Sequence, residues 1–248
     1  MTALDDALRS AARTPCLLVA SDYDGVVAPI VADPDAAMPD TAAIEALAQL
    51  AATPDTHVAM ISGRTLRDLR RVTGEPGEVM LLGSHGAETA SGDLLSPSQL
   101  SIRDAIISEM DQISADYPGS RVEAKPGGVA FHYRSVAEPL QGDATRRILA
   151  GPAARPNLKV MEGKKIVEVS LVAGNKGTAL TRLRKLVEAD RVVFLGDDVT
   201  DEDAFAVLRP DDVGIKVGPE PTMAQYRIPG QEDVSAVLTG LAVRRAGN

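Results

Sequence analysis

Short apolar runs alternate with amphipathic patterns over most of this 248-residue chain. Five runs are almost entirely apolar, which is typical of strands buried on both faces of a sheet. They are LLVAS (17–21), HVAMIS (57–62), VMLLG (79–83), VVFLG (192–196) and VGIKVG (213–218). Apolar residues recur at helical spacing between these runs, as in TAAIEALAQLAA (41–52), and the C-terminal stretch 234–248 predicts a packing helix with a loose tail. The alternation of strand and helix predicts an α/β fold with a doubly wound parallel sheet.

The middle of the chain has a different pattern. Two amphipathic segments and two segments of alternating polar and apolar residues follow one another there, which predicts helices and an antiparallel sheet covered on one face. These segments are IRDAIISEMDQISADY (102–117), VEAKPGGVAFHYRSV (122–136), the stretch 139–150 and LKVMEGKKIVEVSLV (158–172). We therefore predict a core domain formed by 1–94 and 173–248, into which an α+β domain at 95–172 is inserted.

Acidic and hydroxyl side chains stand at the ends of three predicted core strands. Asp22 and Asp24 come directly after the first run, Ser62 ends the second, and Asp197 and Asp198 follow the fourth. Ligands of an open parallel sheet bind outside the carboxyl ends of its strands. We therefore expect these residues to converge on one strongly anionic edge.

Several carboxylates at one edge repel each other and lose hydration, and a divalent cation with oxygen ligands offsets both effects. Mg²⁺ is the common choice where phosphate is the substrate, and one carboxylate would remain free to attack phosphorus. Two structural explanations stay open. A DG turn accounts for Asp22 and Asp24 when these are taken alone, and a capping box of Thr200 with Asp203 accounts for the acids of the next helix.

Two further residues have the chemistry of a phosphate site. Lys176 opens the helical pattern NKGTALTRLRKLVE (175–188), where its charge opposes the helix dipole, so we expect it to have an anionic partner. Ser62 precedes Gly63 and the helical pattern TLRDLRRV, a position suited to presenting a hydroxyl group to phosphate. A solvated lysine and a strand-end hydrogen-bonding serine are the alternatives.

Composition narrows the class of protein. The chain is 44% hydrophobic and 25% charged, as in ordinary globular proteins, and its net charge of -9 argues against nucleic-acid binding. Its one cysteine, Cys16, has no partner for an internal disulfide. The acidic N-terminal stretch does not resemble a signal peptide, and no apolar stretch is long enough to span a membrane. We expect a cytoplasmic protein without a membrane partner.

The ordered set of DxDG, a strand-end serine, a lysine and GDD is similar to the four-motif signature of phosphatases of the haloacid dehalogenase superfamily. Finer motifs between about residues 16 and 218 resemble the trehalose-6-phosphate phosphatases within it. These motifs are DYDGVVAPI (22–30), ISGR (61–64), GSHGAE (83–88), E-x-K…HYR (123–134), GKKIVEV (163–169), NKG (175–177) and GDDVTDEDAF (196–205).

The resemblance implies a core of the haloacid dehalogenase type with an inserted α+β cap (C2 type), and it implies roles for single residues. Asp22 would form an aspartyl-phosphate. Asp24 would protonate the leaving sugar oxygen and then activate water. The carboxylates of Asp22 and Asp197 and the backbone carbonyl of Asp24 would hold Mg²⁺, with Asp198 and Asp201 in supporting positions.

The resemblance also implies the substrate contacts. Ser62 and Lys176 would hold phosphoryl oxygens, and Gly63 and Arg64 of the ISGR motif would lie against the substrate. Sugar contacts are implied for five cap residues: Glu123, Lys125, Arg134, Lys164 and Glu168. A cap that closes would keep bulk water from the phosphoenzyme. The alternative for Lys164 and Glu168 is that they form a cross-strand ion pair on an exposed face.

The implied function is Mg²⁺-dependent hydrolysis of trehalose 6-phosphate, with a functional link to a trehalose-6-phosphate synthase. The chain departs from the family at Val26, where threonine is usual, and at Ser170 and Leu171, where a basic residue and proline are common. We expect activity to survive the change at Val26, whereas Ser170 and Leu171 leave selectivity among sugar phosphates open. A phosphatase for another sugar or glycosyl phosphate, and a phosphoacceptor or sensing module without turnover, are the other functions considered.

Overall fold

The computed structural model of this chain describes residues 2–31, 37–74, 76–89, 92–93, 95, 97–125, 127–163, 165–171 and 175–247. The chain divides into two compact units. One consists of Met1–Ala90 with Gly174–Asn248, and the other of Ser91–Ala173. That the two units serve as catalytic core and substrate-recognition cap stays a prediction.

Ten of the twelve strands in the described residues form two sheets that match the two patterns of the sequence. The bounds of all the strands in chain order are β1 Leu17–Ser21, β2 Thr56–Ile61, β3 Met80–Leu82, β4 Glu88–Thr89, β5 Gly92–Asp93, β6 Arg121–Lys125, β7 Gly128–His132, β8 Lys159–Gly163, β9 Ile166–Ser170, β10 Arg191–Gly196, β11 Val213–Val217 and β12 Tyr226–Ile228. The first unit contains a six-stranded sheet in the order β12-β11-β10-β1-β2-β3, and every neighbouring pair in it is parallel. The predicted doubly wound parallel sheet is confirmed.

Helices cover both faces of this sheet. Side chains alternate between the two faces along each strand, and since the strands are mostly apolar, both faces need cover. The helices are α1 Ala3–Ala12, α2 Thr41–Ala51, α3 Leu66–Thr73, α4 Pro97–Ser114, α5 Glu138–Ala150, α6 Lys176–Leu186, α7 Val199–Phe205 and α8 Val234–Ala246. Val19 and Leu195 pack on the side of α1, α2, α3 and α8, whereas Ala20 and Phe194 pack on the side of α6 and α7. Among the described residues, no helix combines the length and apolar character needed to cross a bilayer.

The second unit is a four-stranded antiparallel sheet with α4 and α5 on one face. Its order is β6-β7-β9-β8. Phe131 and Val167 point into an apolar core that the helices complete through residues such as Ile106 and Ile148. The alternating positions Glu123, Ala130 and Glu168 share a register line across three strands, on the other face.

Three local expectations differ from the structure. Helix α1 was not predicted, because helical spacing was sought only between and after the apolar runs. Strand β12 was not predicted, because it has only three residues, one of them arginine. The helical spacing of Ala204, Val207 and Leu208 predicts a longer helix, but α7 ends at Phe205, so the last two lie beyond it. The predicted C-terminal packing helix extends to Ala246, which leaves only two residues for the predicted loose tail.

Arg245, in the last turn of α8, holds the end of this helix in place through its side chain. It is only 8% exposed. Its guanidinium donates hydrogen bonds to the hydroxyl of Thr56 and to the carbonyl oxygens of four residues, which are Ala12, Thr14, Pro15 and Asp55. One side chain therefore joins the end of α1, the start of β1 and the turn before β2.

Arg245→Ala is expected to lower the free energy of unfolding by about 3 kcal/mol, because it leaves several buried carbonyl groups without a donor. Urea denaturation measures this change. Its neighbour Arg244 makes a partly exposed ion pair with Asp5, at 3.2 Å, so Arg244→Ala is the matched control and should cost less than about 1 kcal/mol. Equal losses in the two variants would contradict the role given to Arg245.

Candidate active site

The candidate site lies where β1 and β10 end side by side. The peptide N–H of Asp22 donates to the carbonyl of Leu195 at 3.0 Å, which continues the pairing of the two strands by one residue. Asp197 is the first residue after β10, as Asp22 is the first residue after β1. The strand order runs outward in both directions from β1 and β10, and ligands bind at this switch point in open α/β sheets.

Lys176 is the cation of the site. Asn175 caps helix α6 through its side chain, which fixes Lys176 as the first helical residue. The side chain is 1% exposed, and its Nζ donates to Asp22 Oδ2 at 2.5 Å and to Asp201 Oδ1 at 2.8 Å. The anionic partner expected for Lys176 is therefore present as two carboxylates.

Asp201 links the lysine to the backbone after β10. Its Oδ2 accepts the N–H groups of Asp197 and Asp198, each at 3.0 Å, and its side chain is fully buried. Asp198 is the N-cap of α7 and forms a capping box with Asp201. The predicted box of Thr200 with Asp203 is wrong, because the helix begins two residues earlier than that pairing requires.

Burial shifts the acid–base equilibria of two carboxyl groups in the site. Removal from water, with the nearby charge of Asp201, raises the pKa of Asp22 to about 7 even though Lys176 opposes the shift. The same causes raise the pKa of Asp197 to about 6. Two buried acids of this kind are stabilised in their charged form by a cation placed between them.

The oxygen atoms of the site fit such a cation. One carboxylate oxygen from each of Asp22, Asp197 and Asp201 lies within 4.8 Å of the others. Asp197 Oδ1 is buried and accepts no hydrogen bond, whereas both oxygens of Asp201 already accept bonds. A side chain at Gly25 would overlap the Asp197 carboxylate, so glycine keeps this space open. Hard divalent cations favour oxygen donors of this kind.

The Asp24 side chain takes a different partner. Arg64 donates to both of its oxygens, at 2.8 and 2.6 Å, and the guanidinium lies 5.3 Å from the centre of the Tyr23 ring. Tyr23 is buried and donates its hydroxyl to the carbonyl of Ala37 at 2.8 Å, so it forms a fixed platform for this pair. The structure thus brings Arg64 against Asp24, a contact that the sequence did not predict.

Ser62 stands at the end of β2, next to β1, and is fully buried. Its hydroxyl oxygen accepts the N–H of Arg64 at 3.1 Å, and its carbonyl accepts the N–H of His85 at 2.7 Å. A methyl group on Gly63 would lie 2.9 Å from the His85 ring, so the ring fits closely only against glycine. Ser84 and His85 both have positive φ, at 47° and 57°, a strained backbone that holds this segment against Ser62.

This arrangement agrees with the comparison with known families, in which a model described as trehalose-phosphatase matches residues 20–236. The chain belongs to the trehalose-phosphatase family. The resemblance drawn from the motifs is confirmed, and the match extends beyond them at the C-terminal side.

Individual proteins that are similar to this trehalose-phosphatase chain support the same family assignment. A bifunctional trehalose-6-phosphate synthase/phosphatase from Thermoproteus tenax is 35% identical over 236 residues, covering 90% of this chain and 32% of that protein. A trehalose-phosphate phosphatase from Mycobacterium marinum is 36% identical over 235 residues, covering 88% of this chain and 59% of that protein. The chain therefore spans about a third and about three fifths of the lengths of these relatives.

Among solved structures, an Aspergillus fumigatus trehalose-6-phosphate phosphatase matches with a TM-score of 0.73 at 27% identity. It covers 98% of each chain. Both units of this chain thus have counterparts in one protein of the same family. The family implies a phosphatase that uses a divalent metal and a sugar phosphate, which agrees with the acidic cluster.

Three of the five predicted sugar-contact residues, Glu123, Lys125 and Glu168, lie on the face of the second unit's sheet that points away from its apolar core. Glu123 lies 2.7 Å from His132 Nε2, and this hydrogen bond lowers the pKa of Glu123. Lys125 pairs with Glu168 across β7. The predicted Lys164 lies outside the described residues.

Small residues lie between these charged groups. Gly128 and Ala130 of β7 lie between β6 and β9 on that face, and their small size lets Lys125 reach Glu168 across β7. Arg134 is exposed in the turn after β7. Charged donors and acceptors therefore project from this face of the sheet.

Sequence reasoning missed one buried group beside the core site, which is Lys216 of β11. It is 2% exposed, and its ammonium donates to the backbone carbonyl of Asp197. A single lysine inside the apolar run VGIKVG was the available signal, because a fully buried lysine requires a partner.

Proposed function

We propose that this chain hydrolyses trehalose 6-phosphate to trehalose and phosphate, using Mg²⁺. The observation that carries the proposal is the position of Asp22, a buried carboxylate at the switch point of the sheet, in contact with Lys176 and clustered with Asp197. Such a carboxylate combines a nucleophile with groups that offset phosphoryl charge. The family match supports the same reaction class.

In this proposal the carboxylates of Asp22 and Asp197 and the backbone carbonyl of Asp24 hold Mg²⁺. The unpartnered buried Oδ1 of Asp197 supports this assignment, and the choice of Mg²⁺ follows from an all-oxygen donor set and a phosphate substrate. When bound, the ion offsets negative charge on the carboxylates and on the phosphoryl oxygens. Asp201 is given a supporting role because its Oδ2 already accepts two backbone N–H groups in addition to the Lys176 bond of Oδ1, whereas each oxygen of Asp22 accepts one hydrogen bond.

The side chains of the core divide the chemistry between them. One oxygen of Asp22 forms a bond to phosphorus as the bond from phosphorus to the sugar oxygen breaks, and Asp24 gives that oxygen a proton. In the second step Asp24 takes a proton from water, the water oxygen bonds to phosphorus, and Asp22 leaves as a carboxylate. Lys176 and Ser62 hold phosphoryl oxygens in both steps.

Phosphate release from a panel of sugar phosphates with Mg²⁺ tests the proposal. We expect a preference for trehalose 6-phosphate over glucose 6-phosphate of about 100-fold in kcat/KM, since a site built around many hydroxyl groups discriminates strongly. Release without preference would support a phosphatase for other sugar phosphates. Absence of release from every substrate, with phosphate retained on the protein, would support a sensing module instead.

The polar face of the second unit is proposed to bind the sugar, and Glu168→Gln tests this. We expect KM for trehalose 6-phosphate to rise about 10-fold, because a charge-assisted hydrogen bond is lost, while hydrolysis of p-nitrophenyl phosphate stays the same. Glu162→Gln, an exposed position on β8 that alternates to the other face, is the control. An equal loss of activity on both substrates would mean that the substitution damages the enzyme as a whole. An unchanged KM for trehalose 6-phosphate would mean that this face does not bind the sugar.

A functional link to a trehalose-6-phosphate synthase is also proposed. Its support is the name of the Thermoproteus tenax relative, which joins synthase and phosphatase in one protein. A cytoplasmic location is proposed on the basis of the lone thiol of Cys16, which fits a reducing compartment.

A further inference from the structure

Lys216 is a buried cation that the proposed reaction does not use. It lies in β11 opposite Gly196, the last residue of β10, so its side chain reaches the edge where the acidic residues converge. Its ammonium donates to the carbonyl oxygen of Asp197. A buried ammonium costs several kcal/mol in lost hydration, so its position demands a compensating role.

That hydrogen bond completes a set of restraints on the backbone of one residue, Asp197. The N–H of Asp197 is held by Asp201 Oδ2 at 3.0 Å, and its carbonyl is held by Lys216. Gly25 lies against the carboxylate. Both backbone polar groups of Asp197 are therefore fixed, while its buried Oδ1 is left without a hydrogen bond. This is the arrangement expected for a ligand oxygen that supporting groups hold in place.

We propose that Lys216 is a positioning residue that strengthens divalent-metal binding by fixing the backbone of Asp197. The proposal rests on the metal site of the proposed function, but it does not depend on which phosphate ester is hydrolysed. It assigns a role to a residue of β11 that lies outside the four acidic and basic motifs.

The sign of the effect separates positioning from simple charge. An ammonium near a cation site repels the cation, so if Lys216 acted only through its charge, removing it would tighten metal binding. If Lys216 acts by holding the Asp197 carbonyl, removing it frees that peptide and weakens binding. The two explanations predict opposite changes in one measured constant.

The test is calorimetric titration of Mg²⁺ alone into the metal-stripped full chain, for the wild type and for Lys216→Met, which keeps the length of the side chain but not its charge. We expect the Kd for Mg²⁺ to rise about 10-fold or more, as when supporting groups of metal ligands are removed. In phosphate-release assays, the Mg²⁺ concentration for half-maximal rate should rise in parallel, while KM for the ester at saturating Mg²⁺ changes less than about 3-fold. An unchanged or lower Kd overturns the proposal.

Controls separate this effect from loss of the fold and from failure of the proposed function. Lys185→Met, at an exposed position in the last turn of α6, should leave the Mg²⁺ affinity unchanged. Lys216→Gln keeps a neutral donor and should recover part of the affinity; if neither Lys216 variant folds, its role is structural and the proposal fails. If the wild type binds Mg²⁺ in a Lys216-dependent way but releases no phosphate from trehalose 6-phosphate, only the proposed function fails.

Discussion

Replacing Asp22 with asparagine is expected to lower phosphate release from trehalose 6-phosphate by about 10⁴-fold or more, which is the usual cost of removing a covalent nucleophile. An amide is far too weak a nucleophile to form the bond to phosphorus, and Lys176, which contacts this side chain, carries no lone pair while it is charged. Steady-state assays with Mg²⁺ measure the loss.

The fold should survive this substitution. Asparagine has the same shape as the buried Asp22 side chain, and Asp201 remains as a carboxylate partner of Lys176. The thermal midpoint is therefore expected to stay within a few degrees of the wild type. Asp6→Asn, at an exposed position on α1, is the control for activity. Substantial turnover by a folded Asp22→Asn protein would show that another group attacks phosphorus.

Replacing Lys176 with methionine is expected to affect both activity and stability. Activity should fall by about 10² to 10³-fold, since a preorganised positive charge at the phosphoryl group is lost. The free energy of unfolding in the presence of a chelator should fall by about 3 kcal/mol, because Asp22 and Asp201 would be left buried without their shared cation.

Added Mg²⁺ should restore more stability to Lys176→Met than it adds to the wild type, because the ion then also offsets the uncompensated carboxylates. Urea denaturation of both proteins, with and without Mg²⁺, measures the stability that each gains from the ion. A Lys176→Met protein that is as stable as the wild type in chelator would mean that the two acids are neutral in the fold. Full activity would remove Lys176 from the phosphate site.

Local pattern was sufficient for most of the core. The run 17–21 is strand β1 with the same bounds, and the apolar runs before Asp197 and around Ser62 are β10 and β2, shifted by one residue. Buried parallel strands are continuous apolar segments, and their carboxyl ends must share an edge, so convergence of the acidic residues followed from the sequence. Short polar strands such as β12 carry no such pattern.

Motif order likewise identified the family, because each motif combines residue types that the chemistry requires. The functional alternatives at single residues were harder to separate. Glu168 has Lys125 as its partner in the structure, and the acids after β10 belong to a capping box that begins at Asp198. In both cases several partners at suitable sequence spacing were available, and local spacing could not choose among them.

By itself, the sequence determined the α/β core, the inserted α+β segment and the identity of the acidic and basic residues at the strand ends, because periodicity and motif order are local properties. Only the tertiary structure decided the partners of the buried cations. Lys176 bonds to Asp22, Lys216 to the carbonyl of Asp197, and Arg245 to the turns around β1. These bonds join segments that are distant in the chain, and their geometry is fixed only when the strands and helices pack and exclude water from the charged groups.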